Sequence, residues 1–384
     1  MIKRFFKAIG LVVTFGISLG SLYLVNLFYM KPVSIDHYLG KELVIGLFDS
    51  PESMTYMGIF DKYNWITKHN SALSIPKHED LDEGINDAKK SLSVLSKYKD
   101  SSLTNNQKIT KKIAIFDIEN GLKQSEEFPY HDYPLNQVRG IHHNIISFMS
   151  DMHPVRTHDE AKDFIKRTDL AKDLYAGVLD GLERQAAAGI FAPEFVYAHV
   201  IEQLNEMINY SFDEHPLYTQ FMKKAELLDI SQEELASLEA ELILSIQNSL
   251  TPGFVLLRDF MVSTRDKANP NHGVWSQPNG DEFYKLRIRT YTTTDYSPQE
   301  IHDMGLSEVA RISTRMKEIL VSLGYDANKT VGVLMNELNE DPSMLYEDTP
   351  DRKEIILEDY TNMVHEATDA IKGYFHSMPK APVV

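Results

Sequence analysis

The sequence contains no cysteine. That excludes disulfides, thiolate metal sites and a cysteine nucleophile, and it excludes lipid attachment through a lipobox, which needs its cysteine. Other catalytic signatures are missing too. There is no G-x-S-x-G elbow for a serine nucleophile and no G-x-x-x-x-G-K-[ST] loop for a nucleotide. Two zinc ligands on one helix need histidines at i and i+4, with a glutamate between them as general base. His365-Glu366 and His78-Glu79 each open that pattern, but Asp369 and Asp82 stand at its closing position. His142 and His143 are adjacent, so a helix would point them about 100° apart, a poor grip on one ion. These histidines read as surface or core-edge side chains. The flank position of His365 fits that reading, because Ile356, Tyr360, Met363, Val364, Ala367 and Ile371 form an apolar stripe on its helix. No metal ligand is assigned.

Basic charge is also scarce. The chain carries −17, and its only charges before Asp36 are Lys3, Arg4, Lys7 and Lys31, so residues 35–384 carry −21. A body that acidic repels phosphate backbones, and no basic stripe tracks one, so nucleic acid is excluded as a partner. The 56 carboxylates leave room for a glycosidase-like pair but give no means of choosing one.

What is present begins with an apolar run. Residues 1–7 form a basic tail, and Ala8 to Met30 then pass without a charge. About 20 apolar residues span a bilayer as a helix, whereas a cleavable signal has a core of about 7–15. No A-x-A site follows, although Ser18-Leu19-Gly20 offers small residues. Tyr23 and Tyr29 suit an interfacial belt. The expectation is a single-pass signal anchor at 8–30 in the inner membrane. Its tail would be cytoplasmic and the body, 35–384, periplasmic or outside the cell.

The body reads as helix after helix. Ser50-Pro51-Glu52, Ser297-Pro298-Gln299-Glu300 and Thr349-Pro350-Asp351 each set an N-cap before a first-turn proline. Thr104 to Gln107, Thr157 to Glu160 and Ser231 to Glu234 have capping-box spacing. Leu235, Leu238, Leu242, Ile246 and Leu250 then share one face, as do Leu170, Leu174, Val178 and Leu182 in a helix after Thr157. Strand signals are few. In residues 273–294, Pro278-Asn279-Gly280-Asp281 is a good turn, and Tyr284, Leu286 and Ile288 alternate as in a strand. Phe283, Tyr284, Arg287 and Tyr291 would instead share a helix face. The fold class is all-α, multi-helix, with room for one short hairpin.

The same stretch carries a resemblance. Gly273, Pro278, Gly280, Phe283, Tyr284, the threonines 292–294, Ser297, Pro298, Glu300, Ile301, His302, Gly305, Leu306, Glu308 and Val309 follow one another in a characteristic order. That order resembles a signature of the bacterial family known as domain of unknown function 885. The stretch from Tyr133 to Ile145 and the final residues 374–384, with Pro379-x-Ala381-Pro382, resemble two further segments of it. The family resembles helical zinc metallopeptidases, and its members are taken as metal-dependent peptidases or carboxypeptidase-like hydrolases. The resemblance therefore implies a zincin-like helical domain. Its zinc ligands belong to an H-E-A-x-x-G-H-H motif, with a further glutamate, beyond the P-x-A-P segment.

No residue here matches that motif, so zinc is expected only if a further C-terminal part is present. The expectation is an incomplete, membrane-anchored N-terminal portion of a zinc peptidase-like protein, not catalytic as it stands. Its partners would be a peptide substrate or the missing catalytic part. The alternative is a non-catalytic periplasmic helical protein that binds peptides or a partner. Tyr284, Arg287, Thr292 and Thr293 are the candidate substrate-binding residues. On a helix, Tyr284 and Arg287 are one turn apart and could present a phenol and a guanidinium to a peptide carbonyl or carboxylate, beside the threonine hydroxyls.

Overall fold

The computed structural model describes residues 2–379. Met1 and residues 380–384, including most of the Pro379-x-Ala381-Pro382 stretch, lie outside the described residues. The chain divides into two compact units, Met1–Asp295 and Tyr296–Val384. The first contains α1 (Ile2–Tyr29), α2 (Ile35–Phe48), α3 (Pro51–Met57), the single turn α4 (Asn64–Thr67), α5 (Glu79–Ser96), α6 (Asn105–Glu127) and α7 (Ile141–Ser147). It continues with α8 (His158–Asp169), α9 (Ala171–Ala187), α10 (Glu194–Asn209), α11 (Pro216–Ala225), α12 (Gln232–Ser245), α13 (Thr251–Thr264) and α14 (Gly280–Thr292). The second contains α15 (Pro298–Ser322), α16 (Val331–Glu340) and α17 (Arg352–Ile371).

Polar caps set where these helices begin. Ser50, Thr104, Thr157, Ser231 and Ser297 each accept the N–H three residues on, and the boxes at Thr104, Ser231 and Ser297 are closed by Gln107, Glu234 and Glu300. At Thr157 the box stays half made, because the Glu160 carboxylate takes the Arg156 N–H (2.7 Å) and its guanidinium (2.6 Å). Thr349 does not cap α17. The chain first turns, with the Arg352 N–H donating to the Thr349 carbonyl (3.1 Å), and Asp351 becomes the N-cap residue without a side-chain bond.

The main core lies among α8 to α13. Phe164, Tyr175, Val200, Phe221, Leu238, Leu242, Phe254 and Leu257 are all buried there, each contributing roughly 1.5–3 kcal/mol of transfer free energy. α13 packs on both α9 and α10. Gly253 makes that approach possible, since a Cβ there would lie 2.4 Å from Tyr175 Cδ2. The run from Gln232 to Lys267 is long and apolar enough to cross a membrane, but Leu238, Leu242, Phe254 and Leu257 within it are core residues.

Between α12 and α13 the helix widens into a π-turn, Ile246–Leu250. Pro252 has no N–H to return to the preceding turn, and the widened turn absorbs that break. Ser249, in the same turn, donates to the Asp169 carbonyl (2.6 Å) and accepts the Lys172 N–H (3.0 Å). It thereby seals the junction where the helix expected to run on from Thr157 splits in two at Leu170. A smaller cluster of Ile35, Tyr38, Leu95 and Tyr98 joins α2 to α5.

The short hairpin for which the sequence leaves room is absent: no strand occurs among the described residues, and Pro193 and Asn269 form an isolated bridge. Residues 273–294 hold a 3-10 turn, Val274–Ser276, and then α14. Asn279 does turn the chain, at φ +53°. The turn leads into a helix because Phe283 and Leu286, three residues apart, share a buried cluster with Phe128. A strand would have sent these two side chains to opposite faces.

Candidate functional site

The resemblance stretch that begins at Tyr133, together with the residues just before it, meets the loop that leads into α14. His131 Nε2 lies 2.7 Å from the Pro278 carbonyl, the Gln277 amide donates to the Tyr133 hydroxyl, and the rings of His131, Phe128 and Phe283 pack together. Burial pushes the Tyr133 phenol's pKa up, while the Gln277 bond works against that rise. Gly280 is required by this junction, since a Cβ there would sit 1.9 Å from the Val274 carbonyl oxygen. The glycine and proline of the motif therefore build a tight loop-to-helix joint.

α14 carries Tyr284, Arg287 and Thr292 along about two turns, with Thr293 at its C-cap. Tyr284 is half-exposed. The Arg287 guanidinium donates to Gln124 Oε1 (3.2 Å) and to the Tyr291 hydroxyl (2.8 Å), and it lies 5.0 Å from the Tyr291 ring centroid. Thr292 donates to the Ile288 carbonyl (2.8 Å) and pairs with Thr294 (2.7 Å). Thr293 is the helix C-cap at φ +54°, its N–H on the Arg289 carbonyl. Arg287 and Tyr291 are thus brought together, with Tyr284 one turn away, while the threonines finish the helix.

Gln124 on α6 extends this arrangement in a way no motif signals. Its amide nitrogen donates to Asp132 Oδ2 (2.6 Å), so a single side chain links Arg287 to the loop at 129–134. That loop is fixed from below by Gln185, whose amide donates to the carbonyls of Tyr130 (2.6 Å) and Asp132 (2.8 Å). Between it, the loop before α5 and α9 opens a cleft of about 220 Å³, with Lys77, His78, Tyr130, Asp132, Asp180 and Arg184 among its walls. Arg184 holds Asp180 at 2.9 Å and keeps that carboxyl below the usual range. The cleft offers an ion pair, further charges and a phenol, which is recognition chemistry for a polar chain such as a peptide.

His365 and Asp369 do not form a metal centre. His365 is exposed on α17, and Asp369 binds Lys372 at 2.5 Å. His142 is buried, with Nε2 3.1 Å from Gln203 Oε1, and its ring packs on His143 with centroids 4.4 Å apart. Among the described residues, no group of three or more histidines and carboxylates converges as a metal site.

A denser polar cluster lies elsewhere in the first unit. Arg167 is fully buried on α8, and its guanidinium donates to the Ala72 carbonyl (2.7 Å), the Thr55 hydroxyl (3.0 Å) and the His69 carbonyl, lying 5.2 Å from the Phe148 centroid. Burial lowers its pKa to about 10, so it remains charged at neutral pH. Asn70 bonds Thr55 (2.7 Å), and its carbonyl lies 2.8 Å from His153 Nε2. These residues clamp residues 55–72 onto α8.

Sequence comparison matches residues 51–384 to the family described as bacterial protein of unknown function (DUF885). No curated protein is significantly similar. A solved structure described as a "putative lipoprotein" from Colwellia psychrerythraea superposes with a TM-score of 0.76 at 23% identity, covering 89% of this chain and 61% of that one. Another "putative lipoprotein", of unknown function, from Shewanella oneidensis gives 0.61 at 12% identity, covering 92% and 60%. The chain spans about three-fifths of the length of each. At these identities the likeness is one of fold. The family match covers most of the sequence, and the chain belongs to the bacterial DUF885 family.

Proposed function

We propose that this chain is the envelope-anchored scaffold and substrate-contacting part of a zinc peptidase-like protein, with the metal held by a further segment. In this reading α1 crosses the inner membrane once and the helical body faces the periplasm. The "lipoprotein" description of the two structural relatives supports an envelope location. The apolar character of residues 8–30 supports the anchor. Tyr284, Arg287, Thr292 and Thr293 would contact a peptide along α14, and the Gln124-linked cleft would take part of its chain.

The observation that carries the scaffold reading is in the second unit. Its helices have apolar stripes that the unit does not bury. On α15, Val309, Ile312 and Ile319 are exposed, as is Leu323 at its C-cap, and on α17 Tyr360, Met363 and Ile371 are exposed as well. Only Leu320 and Leu334 are buried hydrophobics among the described residues of the unit. Soluble chains rarely leave such faces open unless something docks there, and both structural relatives are longer than this chain.

The test is a double substitution, Ile312→Glu with Met363→Glu, in the full chain. If these faces await a partner segment, stability in urea changes by no more than about 1 kcal/mol, and binding of a hydrophobic dye falls. A loss of about 3 kcal/mol or more would mean that the faces belong to a closed core. That outcome would favour the non-catalytic, stand-alone binding protein.

A further inference from the structure

The segment from α3 to α4 has two contrasting sides. Its inner side is fixed: Met54, Thr55, His69 and Asn70 are buried, Arg167 holds Thr55 and the His69 carbonyl, and Asn64 donates to Asp163 Oδ2 (2.7 Å). Asp61 takes the Arg156 guanidinium at 2.6 Å. Its outer side carries Tyr56, Met57, Ile59, Tyr63, Trp65 and Ile66, every one more than half exposed and Trp65 at 76%. A loop so firmly clamped keeps these apolar groups in water because its inner contacts leave them nowhere to turn.

We propose that this face rests on the lipid bilayer around α1, as an interfacial foot of the body. Three observations select lipid as the occupant. The first is continuity with the anchor. Five residues separate α1 from α2, and the join is stiff: Asn26 donates to the Lys31 carbonyl (3.0 Å) and accepts the Val33 N–H (3.1 Å). The Tyr98 hydroxyl donates to the Pro32 carbonyl (2.7 Å), and the Tyr23 and His37 rings touch at 5.6 Å. A body tethered this closely has its first elements after α1 within short reach of the surface. The second is residue type: two tyrosines and a tryptophan beside isoleucine and methionine are the side chains that partition to the headgroup boundary.

The third is charge. Residues 35–384 carry −21, yet Glu52, Asp61, Lys62 and Lys68 leave residues 51–68 neutral. Both carboxylates are occupied, Glu52 by Ser74 (2.6 Å) and Asp61 by Arg156, while Lys62 and Lys68 are exposed. An acidic body approaches an anionic leaflet at the segment that carries no net negative charge.

The proposal rests on the reading of α1 as an anchor, and the experiment separates the two. Trp275→Phe leaves Trp65 as the only tryptophan. The full-length variant is reconstituted into phosphatidylethanolamine–phosphatidylglycerol vesicles whose acyl chains are plain or brominated. Bromolipid is expected to quench Trp65 emission by about twofold or more relative to vesicles of the plain lipid. Retention of the chain after an alkaline carbonate wash reports α1 separately. A chain that resists the wash while Trp65 stays unquenched overturns the proposal and leaves the anchor standing. Release by the wash overturns the anchor, and with it the proposal. A blue shift that depends on protein concentration and not on bromine would place a second copy on the face, again overturning it.

Discussion

Three buried histidines make single-residue chemistry visible at the level of the whole fold. Burial pushes His142, His153 and His215 each down to about 4, and the Arg167 charge adds to the effect at His153. His215 Nδ1 also accepts the Leu217 N–H (3.2 Å), a bond that a protonated ring cannot make. In the unfolded chain these side chains titrate near 6.5. Between roughly pH 6.5 and 4 the unfolded state therefore binds more protons than the folded one. Stability is full above that window and falls within it by up to about 1.4 kcal/mol per pH unit for each histidine. The urea midpoint is predicted to be clearly lower at pH 5 than at pH 7.5, and equal midpoints would contradict the burial of neutral imidazoles. At this scale the sequence is least legible. Thr55, His69, Asn70, His153 and Arg167 are scattered over more than a hundred positions, and nothing in their spacing signals that they converge. Gln124, which ties Arg287 to Asp132, sits in an ordinary helical stretch for the same reason.

Helices were the legible elements, because their signals are local. Capping side chains act within three residues, so Ser50, Thr104, Ser231 and Ser297 could be read directly. Leu238, Leu242, Ile246 and Leu250 are buried as their period implies. α14 was ambiguous because its apolar residues satisfy both periods, and the deciding partner, Phe128, lies about 150 residues earlier in the chain. The break at Leu170 was hidden likewise, since Ser249 seals it from another helix. The joint before α14 gives a sharp test. Gly280→Ala places a Cβ against backbone at Val274 and should cost at least about 2 kcal/mol. Gly121→Ala in the middle of α6 meets nothing within 4 Å and should stabilise by about 0.5–1 kcal/mol. Urea unfolding of the pair checks both signs, and equal effects would mean that the joint is looser than described.

At the scale of the molecule, apolar surfaces remain exposed among the described residues after the cores are formed, among them one on α3–α4 and one on the helices of the second unit. Periodicity reveals that a helix has an apolar side, but it cannot say whether the same chain covers it. That is why the stripe containing Tyr360 and Met363 could be read from sequence and its exposure could not. In the proposed reading the first surface rests on lipid, and the second docks a further segment that would hold the zinc. Its central claim is that these 384 residues supply scaffold and substrate contacts without the metal centre. The most direct measurement is the zinc content of the purified full chain by elemental analysis, run beside a mixed-peptide hydrolysis assay. The account predicts far less than one zinc per chain and no turnover above buffer. One tightly held zinc per chain, with hydrolysis lost on chelation and restored by added zinc, would contradict it.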